Sequence, residues 1–381
     1  KGTEVNELYS DNPGTYRVFS RLFCNFVFPE GIVRPDPSNI GKAKTRMDID
    51  VSDVDNLSSD TKQEQADGRF DTDDAKKESD SKKAAKIEYN KQINFALRQL
   101  KENSDKFLNM SKSKNLEMLS PKFALLLKRL NSPEFRGSHL FYSDFRTIEG
   151  VGVFAIVLEA QTQQPLWSRF KIAKDDNGIW KINMKPEDLK KSCYALYTGT
   201  EDAEEKEIIR NIYNSEWDKV PPAILEQLQE SGFGEQKNLY GDVIKLLMIT
   251  SSGSEGIDLK NVQFVHILDP YWHPVRAQQV IGRARRICSH NDLPEKYRRV
   301  KVFKYIMTFS DNQREFKLNN EFKHDKSKNP NDDRIITTDE YLYQISQTKL
   351  KLNTEILTAI KETAIDCALY KDGSKENLVC Y

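Results

Sequence analysis

Neither charge sign prevails in this sequence: 58 Lys and Arg face 58 Asp and Glu. A whole-molecule attraction to polyanions is thereby excluded, so any contact with nucleic acid has to come from a local arrangement. Cysteine is sparse. Cys24, Cys193, Cys288, Cys367 and Cys380 are scattered without a Cys-x-x-Cys pair, which predicts reduced thiols in a cytoplasm-like compartment rather than a disulfide framework. No apolar run approaches the roughly 20 residues that a membrane-spanning helix needs. The opening Lys1-Gly2-Thr3-Glu4-Val5 has no initiator Met and is not a signal peptide; it reads as an internal segment of something longer.

What is present is 38% hydrophobic residues over 381 positions, enough for a core beneath a highly charged surface. Residues 15–33 are dense in aromatic and aliphatic side chains. Val18, Leu22, Phe26 and Val27 can share one helical face before Pro29, so 1–41 is expected to be a helical N-terminal segment packing on the main lobe. From Lys42 to Asp80 there are 7 basic and 12 acidic residues and one aromatic, Phe70. Such a stretch buries too little apolar surface to offset its ordering entropy, and 42–83 is expected to be a disordered charged insertion.

Amphipathic spacing returns after Ala84, and Ser120-Pro121 supplies a helix cap and a first-turn proline. Thereafter short apolar runs alternate with helical patterns. Ser138–Tyr142 and Tyr194–Tyr197 read as strands, and Val243–Ile249, Val262–Leu268 and Val300–Met307 are near-continuous apolar runs with the look of central parallel strands. Asp176-Asn177-Gly178 marks a β-hairpin inserted at about 160–192. The fold class is therefore α/β with a central parallel sheet over 84–309, followed by a mostly helical extension over 310–381 that packs on the lobe.

Function in open parallel sheets gathers at strand ends. Three loops stand there: 141–146, 250–259, and the segment leading into a helix at Pro274. The second, Thr250-Ser251-Ser252-Gly253-Ser254-Glu255-Gly256-Ile257-Asp258, has the hydroxyls and free N–H groups of a phosphate cradle; many such loops are simply turns. On the helix, Gln279, Arg283 and Arg286 fall at i, i+4 and i+7, on one face, and Gly282 allows a neighbouring backbone to pack closely. Two guanidiniums held by a helix suit a transferring phosphoryl group; an exposed basic helix end is the plainer alternative.

Taken in order, 250–259, the strand 262–268, Asp269-Pro270-Tyr271-Trp272-His273-Pro274 and Gln279–Arg286 resemble motifs V and VI of superfamily 2 helicases, on the branch close to Swi/Snf-type translocases. Ser138–Arg146 is similar to motif IV. The words GSHLFYSDFRTIEG, CNFVFP and GSEGIDLKNVQFVHILDPYWHPVRAQQVIGRARRICSH resemble nucleoside triphosphatase I and early-transcription helicases of nucleocytoplasmic large DNA viruses. The resemblance covers roughly 15–35 and 90–310 and implies a RecA-like second helicase lobe. It places Arg283 and Arg286 on the γ-phosphate of ATP as fingers, with Gln279 positioning them and Gly256, Asp258 and Gly282 on the nucleotide side. Ser143, Ser251, Ser252, Gly253 and Ser254 would hold nucleic-acid backbone, and Glu255 with Asp258 would couple that grip to lobe closure. Arg285 stands where many helicases have Gly, which leaves the principal finger open between Arg283 and Arg286.

Gly-x-x-x-x-Gly-Lys-Ser/Thr is absent: the sole Gly-Lys, Gly41-Lys42, is followed by Ala43. ATP with magnesium is therefore expected to be held mainly by an N-terminal lobe outside this sequence, and this segment alone is expected to be inactive. Asp339-Glu340 comes after motif VI and is not read as a metal-binding acid pair. His266, His273, Cys288 and His290 lack metal-ligand spacing. Trp272 is read as packing rather than base stacking. Implied partners are DNA more than RNA, the N-terminal lobe, and a viral RNA polymerase or transcription factors; the implied location is the cytoplasmic viral factory and the virion. The rival readings are a non-catalytic binding module that kept the lobe fold, and an RNA helicase.

Overall fold

The computed structural model describes residues 18–35, 73–199, 201–233, 238–251, 256–315, 335–371 and 378–380. They form two compact units. The first runs to Asp269 and resumes over Val280–Met307; the second comprises Pro270–Gln279 and the residues from Thr308 onward.

In the first unit, helix α1 (Val18–Asn25) precedes the long α2 (Asp73–Glu102) and α3 (Pro121–Asn131). Next come strand β1 (Ser138–Tyr142), helix α4 (Val151–Glu159), β2 (Trp167–Arg169), β3 (Ile172–Lys174), β4 (Trp180–Ile182), β5 (Ser192–Tyr197) and α5 (Ala203–Tyr213). The unit closes with α6 (Pro222–Leu228), β6 (Leu246–Ile249), β7 (Val262–Ile267), the end of α7 (Pro274–Ala284) and β8 (Lys301–Lys304). Six strands make one sheet in the order β2-β5-β6-β1-β7-β8, and every neighbouring pair in it is parallel. Such a sheet is covered on both faces, which is why β1, β6 and β7 are buried throughout without alternation, Ser138, His139, Gln263 and His266 included. β3 and β4 pair antiparallel around Asp175–Gly178, the hairpin that Asn-Gly predicts.

The core on one face joins Phe26 of the N-terminal segment to Leu100, Phe123, Leu127, Phe141, Phe154, Leu246 and Met248. Ser120 caps α3 by accepting from Phe123 N at 3.1 Å, with Pro121 in the first turn, as its sequence signature requires. Gly150 opens α4 where the chain crowds itself: a Cβ there would come within 1.9 Å of the Phe145 carbonyl.

Several expectations are corrected. Helix α2 begins at Asp73, so 73–83 are helical and not part of a disordered stretch; 42–72 lie outside the described residues. Leu22 and Phe26 are buried, whereas Val27 is exposed, because α1 ends at Asn25 and the helical face ends with it. Cys367 and Cys380 form a disulfide, with Cα atoms 5.7 Å apart. Linear spacing conceals it because a separation of 13 residues does not reveal which sulfurs meet; Cys193 and Cys288 stay outside any disulfide.

In the second unit, α8 (Thr338–Glu362) starts with a complete capping box. Thr337 accepts from Glu340 N while Glu340 accepts from Thr337 N, both at 3.1 Å. The Asp339-Glu340 pair is therefore helix-capping chemistry. Trp272 is half-buried, with the Lys349 ammonium 3.7 Å from its ring centre. Among the described residues no helix is long and apolar enough to cross a membrane.

Candidate functional site

Parallel strands bring the ends of β1, β6 and β7 to one edge, and the chemistry-bearing loops leave from it. After β6, Ser251 is half-buried, and Ser252, Gly253, Ser254 and Glu255 lie outside the described residues. The chain resumes at Gly256 with φ +72, a left-handed conformation suited to glycine. Ile257 is buried and Asp258 exposed.

The backbone around Asp258 is fixed by Asn214 at the end of α5. Its side-chain amide donates to the Asp258 carbonyl at 2.9 Å, and its oxygen accepts from Lys260 N at 2.9 Å. Lys260 also pairs with Glu216 at 2.6 Å. Both ionic partners respond to this contact: hydrogen bonding to Glu216 holds the Lys260 ammonium above its usual pKa. The Glu216 carboxyl lies below the usual range, its two lysine partners outweighing a burial penalty in the opposite direction.

Helix α7 carries Gln279 exposed, and Arg283 one turn later half-buried. It stops at Ala284, so Arg286 is not a third member of that helical face. Beyond the helix, Arg286 turns back to Asp258, its guanidinium 2.9 Å from the carboxylate, and also donates to the Ile257 carbonyl at 3.4 Å. The loop after β6 and the arginine run are thus joined by one bridge. Arg283 has no ion pair or side-chain hydrogen bond among the described residues. Gly282 faces open space, since a Cβ there would meet nothing within 4 Å; the expected close packing of a neighbouring backbone is not found.

The segment after the run is anchored to the sheet. Ser289 Oγ donates to the Arg286 carbonyl at 2.8 Å, and Asn261 N donates to the Ser289 carbonyl at 2.8 Å. His290 Nε2 donates to the Val262 carbonyl at 2.7 Å. His290 is therefore structural, and no group of His, Cys, Asp or Glu able to hold a metal occurs among the described residues.

At the ends of β1 and β7 lies a buried polar network that sequence reasoning does not single out. Asp269 Oδ2 accepts from Ser143 Oγ and from Asp144 N, each at 2.7 Å, while its Oδ1 accepts from Asn25. Lys122 Nζ donates to Asn25 Oδ1 at 2.9 Å and to the Leu268 carbonyl at 3.0 Å. Arg21 pairs with Asp144, whose other oxygen accepts from the Tyr142 hydroxyl at 2.6 Å. Two carboxylates and two cations thus offset one another out of water. Burial, and next the Asp144 charge, push the Asp269 carboxyl above its usual pKa. Ser143 belongs to this network. It is fully buried and hydrogen-bonded, which corrects its placement on a nucleic-acid surface. The signal available was Asp269 itself, a carboxylate directly after a buried strand.

Known proteins are similar to this chain over much of its length. The C-terminal part of the Fun30 ATPase domain is similar in structure with a TM-score of 0.34 at 17% identity, over 73% of this chain and 70% of that one. A provisionally named ATP-dependent RNA helicase of Acanthamoeba polyphaga mimivirus is 27% identical over 94% of this chain. A termination factor NPH-I homolog of African swine fever virus is 29% identical over 69% of it. The chain spans 40% and 35% of the lengths of those two viral proteins. Residues 229–288 match the helicase conserved C-terminal domain, a span that contains the loop after β6, β7, α7 and the arginine run. The chain carries the C-terminal lobe of a superfamily 2 helicase.

Proposed function

We propose that this lobe is half of an ATP-driven nucleic-acid motor in which Arg283 is the principal finger and Arg286 the coupling residue. The observation that carries this reading is the Arg286–Asp258 bridge. It ties the loop that would grip nucleic-acid backbone to the run that would meet the nucleotide, and it leaves Arg283 without a competing partner. ATP and its magnesium would be held mainly by an N-terminal lobe. Gln279, one helical turn before Arg283, supplies a neutral amide toward the same nucleotide, and Gly256 and the open face at Gly282 leave room beside it. Ser251, Ser252, Gly253 and Ser254 contact phosphates, and Glu255 transmits that grip. Phosphate contact carries no base readout, so tracking is independent of sequence.

DNA is the favoured track and transcription the setting, because a relative bears the name of a termination factor. The infected cell's cytoplasm and the virion are the matching locations, with a viral polymerase or its factors as partners. An RNA track is the second reading, favoured by the mimivirus relative's name.

The test is hydrolysis by the full-length protein, stimulated in parallel by duplex DNA, single-stranded DNA and RNA. Arg283→Ala is expected to lower stimulated turnover by about 10³-fold or more while nucleic-acid affinity is kept. Arg286→Ala and Asp258→Ala should each uncouple turnover from nucleic acid. Full stimulated turnover in Arg283→Ala rejects the finger assignment, and RNA as the sole stimulator rejects the DNA track.

A further inference from the structure

The hairpin insertion is the part of the first unit to which the motor reading gives no task. Residues 160–192 carry seven Lys and Arg against four Asp and Glu, in a chain whose charges sum to zero as a whole. A cleft of about 450 Å³ opens beside it, lined by Ser168, Arg169 and Lys171 on one strand-to-hairpin passage and by Asn183 and Lys185 on the return. Its two acidic neighbours are already engaged. Glu159 accepts from the Tyr194 hydroxyl at 2.7 Å and pairs with Lys101 at 3.2 Å, and Asp188 pairs with Lys191 at 2.7 Å.

Other hairpin lysines are engaged too, Lys174 with Glu204 at 2.7 Å and Lys181 with Asp175 at 2.8 Å. The three cations that face the cleft are different. Arg169, Lys171 and Lys185 have no ion pair or side-chain hydrogen bond among the described residues, and Arg169 Nε is buried without a partner. A buried guanidinium donor left unsatisfied is costly, and three unpaired cations around one concavity repel each other. Both costs are relieved by an anion that presents several oxygens.

We propose that this cleft binds the phosphodiester backbone of nucleic acid, as a contact separate from the loop after β6. The inference rests on the motor reading for the presence of a nucleic-acid track. The planar fork of Arg169 matches two oxygens of one phosphate, and the two lysines act as mobile point charges for its neighbours. Ser168 and Asn183 add neutral donors, and Ile182 and Met184 present apolar surface to the sugars. β2 and β6 flank β5 in the sheet, and through Tyr194 the register sets Arg169 level with Leu246, at the start of β6 and five residues before Ser251. The cleft and the β6 loop are thus about 10 Å apart across two strand spacings and about 16 Å apart along the strands, so they would meet different stretches of one track.

The test measures binding of a fluorescein-labelled duplex, and of a single strand of the same sequence, to this chain across a salt series. R169Q/K171Q/K185Q is expected to weaken binding about tenfold at low salt. It should also reduce the slope of log affinity against log salt by roughly 2.1 to 2.7, near 0.7 to 0.9 for each of the three phosphates left without its cation. K174Q/K181Q, which removes only paired lysines, should change neither. If R169Q impairs folding, K171Q/K185Q carries the test with a slope reduction of roughly 1.5 by the same relation. An unchanged slope overturns the cleft assignment alone, as does an equal weakening in K174Q/K181Q or displacement by polyglutamate as effective as by nucleic acid. Absence of any salt-dependent binding by the unaltered chain overturns the motor reading together with it.

Discussion

Ser143 and Asp258 illustrate how one residue's surroundings decide its role. Both stand beside strand ends where a hydroxyl or carboxylate suits nucleic-acid or nucleotide contact. Ser143 is enclosed, and its hydroxyl serves Asp269. Ser143→Ala is therefore expected to cost about 1–3 kcal/mol, the range for a buried acceptor deprived of its donor. Nucleic-acid affinity should stay unchanged. Urea unfolding and fluorescence anisotropy on one preparation measure the two effects, and weaker affinity at unaltered stability would restore Ser143 to the binding surface. Asp258 is more than half exposed, and its partner Arg286 is 38% exposed. A pair that wet contributes less than about 1 kcal/mol, so Asp258→Asn should leave the unfolding midpoint almost unmoved. Whatever that substitution does to stimulated hydrolysis then reports coupling rather than folding.

Between elements, the contact of β1 with β7 contains a directional proton arrangement. His139 Nε2 lies 2.8 Å from the Phe135 carbonyl, which can only accept, so that nitrogen carries the hydrogen. His139 Nδ1 is then an acceptor for His266 Nε2–H at 2.9 Å, and His266 Nδ1 accepts from the Tyr305 hydroxyl at 2.9 Å. Each ring is neutral, and a proton added at His139 Nδ1 would set two N–H groups against each other. Burial accordingly depresses both: His139 titrates at about 3, and His266 lies well below its ordinary value. Because these folded-state values are lowered, the unfolded chain binds protons that the folded chain refuses between pH 6.5 and about 3. Stability is complete above 6.5 and falls as pH drops through that window. Urea midpoints from about pH 7.5 to about pH 5 should decline in the parent and decline less in His139→Asn/His266→Phe; parallel curves would remove the pair from the acid response. The strands themselves are legible from apolar runs, because fully buried parallel strands need no polar face. The histidine pairing is not legible, because His139 and His266 become neighbours only through the β1–β7 register, which no local pattern encodes. The same limit hides Arg21, Asn25 and Lys122, whose partners lie 97 to 244 residues away. Gln279 to Arg286, by contrast, is contiguous, and only its helical end at Ala284 escapes the spacing rule.

For the molecule as a whole, the two units differ in what stabilises them. The first has the parallel sheet and an extended apolar core. In the second, α8 keeps Leu342 buried but exposes Leu352, Ile356, Leu357 and Ile360, so its far half has little core of its own. The chain end is fastened there by other means. Cys367 bonds to Cys380, Val379 N donates to Glu362 Oε1 at 3.0 Å, and Leu378 is buried. A cross-link over a separation of 13 residues restricts the unfolded segment by about 3 kcal/mol in the chain-entropy account. Reduction should therefore loosen the segment it closes and leave the sheet alone. In hydrogen exchange, dithiothreitol is expected to speed amides of Thr363–Cys367 while those of Val262–Ile267 keep their protection. Cys380→Ser should reproduce that change and abolish any further response to the reductant. Equal exchange at Thr363–Cys367 with and without reductant would mean that the hydrogen bond and the burial of Leu378 suffice, and that this end of the chain is held equally well with its thiols reduced.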